Sequence, residues 1–463
     1  MAFSGIFFLF YFLPTILIMY YLAPKRHRNL VLFVGSLFFY AWGEPIYVLL
    51  LALSTVFHFF CGKHIAQSEN GKKKKRIFWG AISANIFVFA LLKYGNSLLV
   101  LLNTLFTLQL PTLPIGLPLG FSFYTFHAIS YLADVYGNKQ RAQQRFLHFG
   151  TYLAFFPKLL AGPVVRYCDM EQQIEQRRET IEGFSAGLIC FVVGLAKKVL
   201  LADRLALMWE TIQAVPFAKL SVLSAWLGVI VFGFRIYFDV SGYSDMAIGL
   251  GRMFGFRIEK NFDYPYLAKS VTSYWSKWNI SLGNWFSTYI YCPLKEKAKN
   301  SVYIYLAIFL VWCIVGIWHS ATLSFLVWGI YFALIFMLEK RFLSSVLDRL
   351  PKWVGVLYTF LLVLPSWVLF TSGSFSGALS YFGAMLGVSG AGLITPDFLY
   401  NLHSNGLLLV VSCIAVLPYP AVLGRQFMKK SPAYTTIFVA IGLLLCLGYM
   451  VNGASLPFIY FHF

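Results

Sequence analysis

The chain has 463 residues, 59% of them hydrophobic, 19% aromatic and only 12% charged. One soluble core of that length cannot bury so much apolar surface, so a soluble globular domain is excluded and an integral membrane protein is implied. The formal net charge of +19 does not point to nucleic acid, because the cations sit between apolar runs, at Lys25, Arg26, Arg28, Lys63 and from Lys72 to Arg76, as cytoplasmic loops require.

Runs long enough to cross a hydrocarbon core of about 30 Å fall at residues 4–23, 29–42, 45–62, 77–93, 181–196, 219–238, 302–318, 323–338, 353–371, 406–424 and 434–452. They predict an all-α polytopic membrane protein of about eleven transmembrane helices, since the alternating strands of a barrel are missing. The first run lacks a basic leader and is too long for a secretory segment, so it is expected to be retained. If the first two basic loops are cytoplasmic, the N-terminus lies outside.

Between the fourth and fifth runs, Pro111 to Gly120 is apolar yet broken by proline and glycine. That composition opposes helix and predicts a broken or re-entrant segment packed in protein or beside a cavity. Further on, Arg235 to Gly251 turns polar directly after an apolar run. Ser241, Ser244 and Asp245 would share a helix face there, with Gly242, Gly249 and Gly251 allowing close packing. Asp239, Tyr243, Ser244 and Asp245 are candidates for the wall of a substrate passage, or else for a polar helix-packing motif.

The segment Ser270 to Phe286 mixes Trp275, Trp278 and Trp285 with Lys277, Asn279 and Ser281. It is too polar to cross lipid unaided and predicts an in-plane interfacial helix. Lys295, Lys297 and Lys299 follow, as a cytoplasmic loop or as attractors of phosphate. Then comes Phe309 to Ala321, an apolar run holding Trp318, His319 and Ser320. Burial disfavours imidazolium, so His319 is expected to be neutral and able to accept a proton. Seven cysteines show no CxxC or metal spacing and read as small hydrophobes. No metal site, P-loop or dinucleotide fingerprint is present in the sequence, and no tightly bound cofactor is expected.

Taken together, Gly120 to Phe126, Phe155 to Pro163, Tyr237 to Gly249, Asn261 to Tyr266, Trp275 to Phe286 and Trp318-His319 resemble the membrane-bound O-acyltransferase family. The likeness is strongest to its bacterial alginate O-acetylase-like branch, related to the D-alanyl transferase for teichoic acid. It covers residues 110–340 closely and would make residues 1–463 one integral-membrane domain. The resemblance implies a helical bundle with re-entrant and in-plane helices around a central tunnel, in a bacterial inner membrane. A cytoplasmic acyl-CoA, expected to be acetyl-CoA, would be the donor. The acceptor would be an extracytoplasmic polysaccharide, reached with a separate esterase-like partner among membrane lipids and without nucleic acid.

His319 corresponds to the family's invariant histidine and Asn279 to its second position. Asn279 departs from the histidine of the alginate branch, Ser320 from the usual following glycine, and Ser287-Thr288 from the branch's Arg-Asp pair. Peptidoglycan or teichoic acid remains open as acceptor. A transporter or flippase is a rival from another class, and a non-catalytic scaffold a third reading.

Overall fold

A computed structural model describes residues 2–113, 116–428, 431–452 and 456–459, and helix is the only regular structure among them. Each helix satisfies its own backbone, the condition for crossing hydrocarbon. Among the described residues, nine helices are long and apolar enough to span. Phe8–Leu22 and the 16-residue Arg28–Gly43 account for the predicted runs 4–23 and 29–42. Leu22, Leu53, Phe87, Leu306, Leu407 and Leu444 are each more than half exposed, an arrangement that suits lipid rather than water. The chain is a multi-pass membrane protein.

Contacts divide the chain into two units, Met1–Leu188 with Ala247–Glu259 and Ile189–Met246 with Lys260–Phe463. The first carries α1 (Phe8–Leu22), α2 (Arg28–Gly43), α3 (Tyr47–Gln67), α4 (Gly71–Phe106), α5 (Phe121–Tyr136), α6 (Phe146–Ala154) and α7 (Tyr167–Gln176). The boundary then passes through α8 (Ile181–Gln213) and α9 (Val222–Met253). The second unit continues with α10 (Val271–Trp275), α11 (Ile280–Phe286), α12 (Ser301–His319), α13 (Leu323–Arg349), α14 (Lys352–Thr371), α15 (Phe375–Met385), α16 (Pro396–Ala415) and α17 (Ala433–Val451).

In the first unit α4 runs 36 residues, about 54 Å, well past the predicted 77–93. Asn70 starts it by accepting hydrogen bonds from the Lys72 and Lys73 amides at 2.9 and 3.4 Å, the usual task of an N-cap carboxamide. The stretch that follows is irregular, as predicted, but from Thr107 to Leu113 it is exposed rather than packed in protein, and it folds back along α4. Asn103 exchanges a pair of hydrogen bonds with the Leu110 backbone, at 2.9 and 3.0 Å, and Asn96 exchanges another with Leu113, at 3.1 and 2.8 Å. These carboxamides satisfy a backbone that proline keeps out of a helix. Pro114 and Ile115, at the centre of that segment, lie outside the described residues.

The motifs at 120–126 and 155–163 pack against each other within this unit. Gly120 has φ 77°, and a Cβ on it would come within 2.5 Å of the Leu159 carbonyl oxygen, so both its conformation and its contact require glycine. Lys158 is fully buried, with Nζ 3.9 Å from the centre of the Tyr152 ring. A cation–π contact of that kind offsets part of its lost hydration.

In the second unit α12 and α13 form an antiparallel hairpin. A Cβ on Gly316 would strike the Phe325 carbonyl oxygen, and one on Gly329 would lie 2.5 Å from that of Trp312. Small residues thus bring the two backbones into contact, the usual basis of tight packing between membrane helices. Gly194 and Gly242 play the same part between α8 and α9. One predicted run is displaced. Instead of 406–424, the helix is Pro396–Ala415. Pro396 suits its first turn, whereas Pro418 and Pro420 cannot extend it.

Candidate active site

His319 is the last residue of α12, at the hairpin turn and directly after the predicted run 302–318. It is nevertheless 7% exposed, because aromatic rings surround it. Trp318 lies 4.6 Å away between ring centres, Phe370 5.2 Å, Trp328 5.5 Å and Phe325 5.9 Å. Its seclusion comes from these rings and not from its place along the helix.

The imidazole lines a cavity of about 930 Å³ formed wholly by the second unit. Ile308, Val311, Val315 and His319 follow one another on its wall at helical spacing, so the cavity runs about 16 Å along α12. Beside them stand Trp328, Phe336, Glu339 and Lys340 of α13. Because the hairpin is antiparallel, His319 and Trp328 mark one end, and Ile308 and Lys340 mark the other. Lys269 and Lys277 also line the wall. The arrangement is apolar with a few placed polar groups, as ligand cavities generally are.

Asn279 lines the same cavity, is 7% exposed and adopts φ 45°, a left-handed backbone that asparagine tolerates better than most residues. It precedes α11 without capping it, so its amide serves elsewhere. The Ser281 N–H donates to Asn261 Oδ1 at 2.8 Å. An N–H can only donate, which fixes the orientation of the Asn261 carboxamide. Asn261 Nδ2 therefore donates to Asn279 Oδ1, at 3.0 Å, which engages the oxygen of Asn279 and leaves its amide nitrogen as the donor end. Backbone bonds from Ile280 to Asn261 at 2.9 Å and from Asp263 to Lys277 at 3.0 Å hold the two segments together. Asn261→Asp would keep the bond to Ser281 but set oxygen against oxygen at Asn279. The expected result is a fall in kcat approaching the 10²- to 10³-fold of one lost oxyanion donor, with about the same KM for the acyl donor and a lowered melting temperature, because the new carboxylate is buried without a cation.

Of the other predicted residues, Trp275, Lys277 and Trp278 line the cavity, whereas Ser281, Trp318 and Ser320 do not. Trp275 and Trp278 do not form an outward belt. Trp275 packs edge-on against Trp328 and Phe332 at 5.5 and 5.0 Å, and Trp278, 4% exposed, lies 5.4 Å from Trp367. Burying these large rings in the wall removes more apolar surface from water than an interfacial position would. Ser320 has φ −161°, extended backbone that makes no demand for glycine. Ser287, where the Arg-Asp pair was missed, is on the wall.

Asp239, Tyr243, Ser244 and Asp245 are also absent from this wall. Asp239 Oδ1 lies 2.8 Å from Lys198 Nζ, which also reaches Asp203 at 2.7 Å, and Asp239 Oδ2 accepts from the Ile459 amide at 2.7 Å. Asp245 pairs with Lys197 at 2.6 Å, and Tyr243 stacks on Phe458 at 4.7 Å. Both carboxylates are paired with lysines, which is what burial of a charge requires. Sequence reasoning missed Lys197 and Lys198, although two adjacent cations inside an apolar run were a visible signal. It also missed Glu339, an acid directly after the apolar run Leu323–Leu338. Glu339 is 3% exposed and accepts from the Val271 and Thr272 amides at 2.7 and 2.8 Å, which fixes the start of α10 and so the position of Trp275.

Comparison with known proteins gives a consistent set. The sequence model of a family described as MBOAT, membrane-bound O-acyltransferase, matches residues 36–347. A probable alginate O-acetylase of Pseudomonas aeruginosa is 37% identical over 390 residues, covering 83% of this chain and 75% of that protein. The peptidoglycan O-acetyltransferase of Helicobacter pylori is 30% identical over 439 residues, covering 86% and 83%. The teichoic acid D-alanyltransferase of Bacillus subtilis is 23% identical over 228 residues, covering 47% and 57%.

Proposed function

Since the chain belongs to the membrane-bound O-acyltransferase family and is an O-acyltransferase, we propose that it transfers acetyl groups from cytoplasmic acetyl-CoA to hydroxyls of an extracytoplasmic polysaccharide. Family membership sets aside the transporter reading. Neutral His319 takes the proton of the acceptor hydroxyl as that oxygen bonds to the thioester carbonyl carbon. The carbonyl oxygen becomes an oxyanion, which the Asn279 amide hydrogens meet. Collapse breaks the carbon–sulfur bond, and the departing thiolate takes the proton back from His319. A bacterial inner membrane and a separate esterase-like partner on its outer side complete the reading.

The observation that carries it is the pairing, on one cavity, of a ring-enclosed imidazole with a carboxamide whose oxygen is already engaged. Lys269, Lys277 and Lys340 on the same wall suit a phosphate-bearing donor. Alginate is the first acceptor to try because relatives so named are 37% identical. Peptidoglycan is the second, since its relative aligns over a longer stretch at lower identity. Sealed vesicles carrying the protein and its partner are loaded with acetyl-labelled CoA. Alkali-labile label is expected on the external polysaccharide. Thioester left intact with both acceptors would overturn the reading.

A further inference from the structure

A second cavity, of about 630 Å³, lies wholly in the first unit and takes no part in the chemistry above. Three separate stretches converge on it: the turn into α2 with Lys25, Arg26 and Arg28, the start of α6 with Arg145 and His148, and the end of α7 with Arg177 and Arg178. Six lysines and arginines face only two acids, Glu175 and Glu179.

The acids are already committed. Glu179 lies 2.9 Å from Arg28 and accepts the Tyr20 hydroxyl at 2.5 Å, and Arg177 sits 3.8 Å away. Although burial favours its neutral form, hydrogen bonds from Tyr20 and Arg28 hold its carboxyl below the ordinary value. Glu175 lies 3.5 Å from His148. Arg177 also donates to the Oδ1 of Asn29, an 8% exposed residue, at 2.7 Å, so the floor is built and rigid. By contrast Lys25, Arg26, Arg145 and Arg178 are exposed and make no side-chain hydrogen bond or ion pair among the described residues.

Two helix starts open on the same space. Neither α2 nor α6 has a side-chain cap, although the Arg28 amide at the start of α2 already donates to the Lys25 carbonyl, and the positive ends of helices favour anions. Ordinary loop charge, which needs only to lie on the cytoplasmic side, would not gather three distant stretches around one hollow. We infer that this cavity is a binding site for a phosphate group, held by Arg145 and Arg178 from one side and Lys25 and Arg26 from the other. The site stands whatever acyl group the enzyme transfers. Its phosphate is carried either by an anionic lipid headgroup or by a soluble ligand.

The purified full chain in phosphatidylcholine nanodiscs is titrated with inorganic pyrophosphate, read by thermal shift. In parallel, discs with phosphatidylglycerol are assayed for retained lipid by native mass spectrometry. Binding of either probe is expected, and R145Q/R178Q should weaken it about 30-fold, the effect of removing two cations near a phosphate. K72Q/K73Q removes equal charge from the first turn of α4 and should leave binding unchanged. Pyrophosphate binding identifies a soluble source, and retention of phosphatidylglycerol alone identifies a lipid. Should R145Q/R178Q melt below the wild type without ligand, K25Q/R26Q, from the opposite wall, takes its place. Binding of neither probe, or equal loss in the control variant, overturns the site.

Discussion

His319→Ala is expected to lower acetyl transfer about 10²- to 10⁴-fold, the worth of a positioned general base, while the protein stays folded and inserted. The measurement is label reaching external polysaccharide, with melting temperature followed beside it. Alanine leaves a gap among Trp318, Phe325, Trp328 and Phe370, so some loss of stability accompanies it. His319→Gln separates the two effects, because glutamine fills much of the gap and hydrogen-bonds but cannot take up a proton at neutral pH. It should melt close to the wild type and be as inactive as the alanine variant. Normal transfer by either variant would remove His319 from the mechanism.

Lys198→Met should produce the largest loss of stability from one surface-remote change, about 3–5 kcal/mol. The lysine side chain is 5% exposed, and it stands between Asp203 and Asp239, whose side chains are 1% and 4% exposed. Removing the cation leaves two buried carboxylates close together, and repulsion adds to their lost hydration. Asp239 also accepts from the Ile459 amide, so the last described stretch of chain should loosen with it. The triple variant K198M/D203N/D239N removes every charge and is expected to recover most of the loss, since buried ion clusters are often replaceable as a set. Thermal unfolding in detergent measures both. A single variant as stable as the wild type would show that the cluster holds nothing together.

These two sites differ in how far they could be read from residues alone. An imidazole in a run as apolar as Phe309 to Ala321 stands out by composition, and the likeness of the surrounding motifs assigns it a partner 40 positions earlier. The helices were equally legible, because length and hydropathy decide whether a segment can cross lipid. Asp239 and Asp245 were not. A helix face tells which residues point together, but the cation that meets them comes from α8, and only packing brings Lys197 and Lys198 there. The orientation of Asn279 was likewise invisible, since it depends on a chain of hydrogen bonds running from Ser281 through Asn261. The shift of the run at 406–424 to Pro396–Ala415 has a local cause. Hydropathy weighed the apolar residues on both sides of Pro418 alike, whereas the backbone could not continue through it.

The touching backbones at Gly316 and Gly329 make α12 and α13 a single stave that cannot spread to admit a bulkier guest. Room for a longer acyl chain has to be found across the hollow, in the short helical pieces between Val271 and Tyr291. Swapping that stretch between related enzymes while keeping Asn279 is therefore the direct way to retune which acyl group is carried, with the histidine and its hairpin left untouched.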